Sequence, residues 1–139
     1  MTQTIKLTLP CLPSRALSPN AHIHWREKYD AAKMLMWEMV AAMSQQSIWT
    51  LADRHASTRL ETRGFPWEKV KVKLTFYVPD SRRRDVANYT QMSQPIFNAL
   101  QGRVIKDDKD IISIEAEFIK DKTRSPMTVM VISQVAEGE

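Results

Sequence analysis

At 139 residues, 43% hydrophobic and 26% charged, the chain has the length and composition of one globular domain with one core, which excludes disordered, fibrous and collagen-like classes. Its 20 Lys and Arg against 16 Asp and Glu leave a net charge of +4, an excess compatible with nucleic acid, in which placement matters more than total. Cys11 is the only cysteine, which excludes an intrachain disulfide and a thiolate zinc cluster, and no apolar run approaches the roughly 20 residues of a membrane helix.

Ile5, Leu7 and Leu9 alternate with Thr4, Lys6 and Thr8, the pattern of a half-buried strand, and Pro10 stops it. The chain enters this strand without the apolar core of a signal peptide, so a cytoplasmic location is expected. Pro10, Pro13, Pro19 and Asn20 make residues 10–20 a constrained loop. From about Trp25 the period becomes helical: Tyr29, Ala32, Met36, Met39, Val40 and Met43 form a stripe, with Glu27, Lys28, Asp30 and Lys33 largely opposite. Leu35 and Trp37 lie outside that stripe and predict a helix covered on two sides, with spare apolar surface for an interface.

Residues 44–67, which mix Trp49, Leu51 and Leu60 with polar residues, read as a loop or a short helix. Val70, Val72, Leu74, Phe76 and Val78 against Lys69, Lys71 and Lys73 make the clearest strand in the chain. Val86, Tyr89, Ser93, Ile96, Phe97 and Leu100 repeat at helical spacing, and Gly102 is placed to end the helix. Pro95 inside this run means that the helix kinks or starts only near Ser93. Ile112, Ile114, Ala116 and Phe118, then Met127, Val129, Val131, Ser133 and Val135, read as two final strands. The expectation is one α+β domain over residues 1–139. It is a two-layer mixed sheet with two main helices, in the order strand, helix, strand, helix, strand, strand.

Charge concentrates in two places. Ser81-Arg82-Arg83-Arg84-Asp85-Val86-Ala87-Asn88 lies at the exit of the clearest strand, and Lys106-Asp107-Asp108-Lys109-Asp110 lies in the connection to the next. Loops at strand ends are held by a rigid scaffold, which is where sites collect. Asp85, Asp107 and Asp108 offer the hard carboxylate oxygens that Mg²⁺ takes, and guanidinium forks match phosphate oxygens. The two segments meet only if 107–110 runs back beside the first strand's exit. The plain alternatives are a solvated arginine turn, an Asp85 that caps a helix, and an Asp-Asp turn without a ligand.

His22 and His24 flank Ile23, but with His55 as the one further histidine they are too few for a metal site. His24 and Trp25 read instead as a DNA-facing or packing loop. Trp25, Trp37, Trp49 and Trp67 read as core, and the first helix's methionines as core or dimer interface. Neither a glycine-rich phosphate loop nor a Ser-His-Asp arrangement is found.

The run Arg82-Arg83-Arg84-Asp85-x-x-Asn88, the helix ending Ala99-Leu100-x-Gly102 and the pair Asp107-Asp108 resemble the signature of RusA-type Holliday junction resolvases. So do Leu7-Thr8-Leu9-Pro10-x-x-Pro13-Ser14, Asn20 and His24-Trp25. The resemblance spans about residues 5 to 133. It implies a homodimer that resolves four-way DNA junctions by paired, Mg²⁺-dependent phosphodiester cleavage, with Mn²⁺ as a substitute. It assigns Asp85 and Asp108 as metal ligands, Asp107 as their acidic neighbour, and all three as catalytic. Arg82, Arg83, Arg84, Asn88, Gln94, Lys106 and Lys109 become DNA contacts. Three positions depart from the family: Ala87 replaces an aspartate, Gln94 falls where a helical lysine is expected, and Asn98 replaces an acidic residue. Two other readings follow. One is a junction-binding protein that has lost turnover, which Ala87 and Gln94 favour. The other is a basic dimerisation module whose Asp-Asp turn is structural.

Overall fold

A computed structural model of the protein describes residues 3–46 and 64–135. Most of the stretch expected as a loop or short helix, residues 47–63 with Trp49, Leu51, His55 and Leu60, lies outside the described residues.

Four strands, β1 (Thr4–Leu9), β2 (Val70–Val78), β3 (Ile111–Lys120) and β4 (Met127–Gln134), form one mixed sheet in the order β1-β4-β2-β3. β4 lies antiparallel to both β1 and β2, and β2 runs parallel to β3. Alternation sets the faces. Ile5, Leu7 and Leu9 join Val70, Val72, Leu74 and Phe76 in the core, while Lys6, Lys71 and Lys73 stay exposed. The helices are α1 (Trp25–Gln45), α2 (Val86–Met92) and α3 (Gln94–Leu100). Met39, Met43, Ile96 and Leu100 belong to the same buried cluster as the sheet's inner residues.

The expected α+β class and mixed sheet are present, with three α-helices in place of two. The break is chemical. Pro95 has no N–H to give to the carbonyl four residues back, so the first helix ends and a new one starts with proline in its opening turn. Ser93 fills the joint. It is fully buried, and its hydroxyl donates to the Tyr89 carbonyl at 2.8 Å. The order is therefore strand, helix, strand, helix, helix, strand, strand.

Burial departs from periodicity in two places. The buried residues of α1 are Leu35, Met39, Val40, Ala42 and Met43, all in its second half. Leu35 is thus core, while Tyr29, Met34 and two tryptophans expected inside, Trp25 and Trp37, are exposed. On β3, Ala116 and Phe118 pack against the core, whereas Ile112 and Ile114 on the same face are about half exposed. β3 is an edge strand, and Tyr89 of α2 stacks edge-on to Phe118 near its far end, so helical cover reaches only part of the strand.

Candidate nucleic-acid interface

The arginine run begins where β2 leaves the sheet. Asp80 turns the chain by accepting from the Arg82 N–H at 2.9 Å, and this bond holds its carboxyl below the usual carboxylate range, assisted by Arg84. Arg84 folds back. Its Nη2 lies 3.0 Å from Asp80 Oδ1, and its Nη1 donates to the carbonyls of Asp80 and Arg82. Its side chain is only 7% exposed, while Arg82 and Arg83 stay exposed. The three arginines are therefore unequal: two present guanidinium groups that have no hydrogen-bond partner among the described residues, and the third braces the loop.

Asp85 caps α2. Its Oδ1 accepts from the N–H groups of Ala87 and Asn88 at 2.9 and 3.3 Å, the role aspartate commonly plays at that position. Asn88, one turn in, exchanges hydrogen bonds with Ser18: Asn88 Nδ2 donates to Ser18 Oγ at 3.2 Å, and Ser18 Oγ approaches Asn88 Oδ1 at 3.4 Å. That contact joins residues 70 positions apart and seats the N-terminal loop, with its 3₁₀ turn at Arg15–Leu17, against α2. Between loop and helix lies a cleft of about 830 Å³, to which the loop contributes Arg15, Asn20 and His22, and the other side Arg82, Arg83 and Asp85.

Sequence reasoning missed Arg15, Ser18, Asn20 and His22 as members of this site. The proline-rich loop signalled that residues 10–20 are constrained, but nothing in it signalled what they face. His24 takes a separate role, its Nδ1 accepting from the Arg26 N–H at the start of α1.

The second charged segment lines a different cleft. Parallel pairing places Ile111 beside Val70, so the 3₁₀ turn Asp108–Asp110 precedes β3 next to the start of β2, whereas Asp85 follows its exit. α2, which Asp85 caps, nonetheless brings its far end beside Asp108. Asp108 lines a smaller cleft of about 260 Å³ with Thr90, Gln91, Gln94 and Phe97. Gln94 and Asn98 bond to each other on the exposed side of α3. Asp107 and Asp110 form a reciprocal cap: Asp107 Oδ1 accepts from the Lys109 N–H, and Asp110 Oδ2 from the Asp107 N–H. Lys106 and Lys109 flank the turn, both exposed.

Asp107 and Asp108 titrate as a pair. The Lys109 N–H holds Asp107 low, while hydrogen bonding to Asp107 raises Asp108. Two carboxylates this close repel when both are ionised, and a cation relieves the repulsion. Among the described residues no group of three or more His, Cys, Asp or Glu side chains is arranged to hold a metal ion. Mg²⁺, however, is commonly bound by one or two carboxylates with water and substrate phosphate, and the Asp107–Asp108 pair fits that smaller requirement. Asp85 lines the other cleft.

The chain matches no protein-family model and no curated protein. Among the described residues no helix is long and apolar enough to cross a membrane.

Proposed function

We propose that the protein is a Mg²⁺-dependent, structure-selective endonuclease acting on four-way DNA junctions as a homodimer, in the manner of the RusA-type resolvases its sequence resembles. The observation that carries this reading is the cleft between the N-terminal loop and α2. Arg15, Arg82 and Arg83 bring three exposed guanidinium groups to one concave surface, and bidentate guanidinium contacts suit phosphate oxygens. Recognition would rest on backbone position and branch shape, with affinity falling steeply as salt rises. Asp107 and Asp108 would hold the ion, which supplies charge neutralisation and an activated water for phosphodiester hydrolysis. Gln94, Lys106 and Lys109 flank that pair and would contact the DNA backbone. Two-fold symmetry matches the two opposed strands that paired cleavage requires.

A second reading, junction binding without turnover, is favoured by Ala87 and Gln94, which stand where the resemblance expects an aspartate and a lysine. Incubating the pure protein with a labelled four-way junction and a linear duplex, in Mg²⁺, Mn²⁺ or EDTA, separates the two. Metal-dependent nicking of the junction alone supports the nuclease. A bound but intact junction in both metals supports the binder.

A further inference from the structure

The cleft between the N-terminal loop and α2 carries two chemistries. Its exposed members are cationic: Arg15, Arg82 and Arg83. Its half-buried members Ala21, Ile23 and Tyr89 bring apolar surface into the same hollow. A site made only for backbone phosphate has no use for that apolar lining. Arg84 also lines the cleft, but its side chain is more than nine-tenths buried and its Nη1 and Nη2 are turned back onto Asp80 and Arg82.

We infer that this cleft admits one nucleotide withdrawn from the base stack, its phosphate held by the arginines and its base laid against Ala21, Ile23 and Tyr89. The inference rests on the DNA reading above and adds how a branch is told from a duplex. In an intact duplex the bases show only their edges in the grooves. A base can lie against an apolar wall only after leaving the stack, and that costs least where pairing is already disturbed. Branch points are such places. At about 830 Å³ the cleft falls within the roughly 300–1,000 Å³ of small-molecule sites, a scale suited to a nucleotide and far too small for a duplex. Arginines for phosphate and a sequence-tolerant surface for the base are the combination found in single-strand binding grooves.

The test uses the full chain in EDTA, so that DNA is bound and not cut. A four-way junction carries 2-aminopurine, whose emission rises on unstacking, either at the branch point or in the middle of an arm. A single-stranded trinucleotide is titrated separately and as a competitor. Emission should rise on binding at the branch and not in the arm, and the trinucleotide should bind and compete. Ile23→Glu, which sets a carboxylate against the wall where the base would lie, should weaken trinucleotide binding about tenfold, the scale of one lost base contact. Ile23→Val should bind as the parent does, which guards against a folding artefact. A junction bound with no rise at the branch, or a trinucleotide that does not bind while the junction does, overturns the nucleotide cleft and leaves the DNA reading standing. A trinucleotide that binds when no junction is bound overturns the branched-DNA reading and keeps the cleft. If neither is bound, both fall.

Discussion

Arg84 Nη2 and Asp80 Oδ1 lie 3.0 Å apart, four residues from each other, and close the loop between β2 and α2 into a ring. Arg84 Nη1 also donates to two carbonyls, of Asp80 and Arg82. Arg84 thus serves the loop, and Arg82 and Arg83 serve whatever enters the cleft. Arg84→Ala should destabilise the protein by about 1 kcal/mol, since a buried guanidinium and its bonds to the half-exposed Asp80 and to the loop carbonyls are lost. A shift of the urea midpoint at constant slope would show it, and no shift would mean the ring is dispensable.

The same division predicts unequal effects on DNA. Arg82→Ala and Arg83→Ala should each flatten the dependence of log affinity on log salt by about 0.9, one phosphate contact apiece. Arg15→Ala, from the opposite wall, should do the same. Arg84→Ala should weaken binding with a smaller change of slope, because its charge is already neutralised by Asp80. Equal slopes for all four variants would contradict the division.

The fold was legible where local pattern and tertiary demand agree. β2 is a central strand whose Val70, Val72, Leu74, Phe76 and Val78 are buried and whose Lys71 and Lys73 are exposed, as the period requires, although Thr75 on the lysine face is buried too. Pro95 announced a break, though not that a full second helix follows it. Exposure was not legible where it depends on what lies opposite. Ile112 and Ile114 carry the same signal as Phe118, yet they stay about half exposed while Phe118 packs against Tyr89 of α2. The candidate site was half legible. The arginine run and the aspartates stand out in the sequence, but Arg15, Ser18 and His22 reach the cleft through long-range contacts, Ser18 with Asn88 and Leu17 with the core. Likewise, the parallel register of β3 decides which end of the sheet Asp108 occupies, and no local pattern encodes it.

Ser18 and Asn88 should behave as one unit. Ser18→Ala and Asn88→Ala should each loosen the N-terminal loop, and the double variant should cost less than their sum, with a coupling of about 1 kcal/mol. Thermal or urea unfolding of the four proteins in the cycle measures it. Strict additivity would mean that the contact does not seat the loop.

Exposed Met34 and Trp37 on α1 supply an apolar face for the proposed homodimer. Sedimentation should show a dimer at micromolar protein, and Trp37→Glu should shift it to monomer with little loss of monomer stability, since this side chain is half exposed. A wild-type monomer throughout that range would remove the two-fold arrangement from the proposal.

Asp85 and Asp108 are separable by substitution because they have different local duties. Asparagine caps a helix about as well as aspartate, whereas alanine does not. Asp85→Asn should therefore keep stability near the parent's, while Asp85→Ala should lose about 1 kcal/mol. Asp108 caps nothing, so Asp108→Asn should leave unfolding almost unchanged. Its effect should appear in metal chemistry: cleavage in Mg²⁺ lost, and junction binding kept or slightly tightened, because a negative charge beside phosphate is gone. The pH dependence follows from the pair. Asp108 is raised by its hydrogen bond to Asp107, so the ion competes with a proton there. Metal affinity should climb as pH rises through that raised carboxyl pKa and then level off. In Asp108→Asn the proton-competed site is absent, and isothermal titration with Mg²⁺ should show a weaker, flatter profile. Cleavage that survives Asp108→Asn but fails in Asp85→Asn would move the metal to the arginine cleft and overturn the assignment of Asp107 and Asp108.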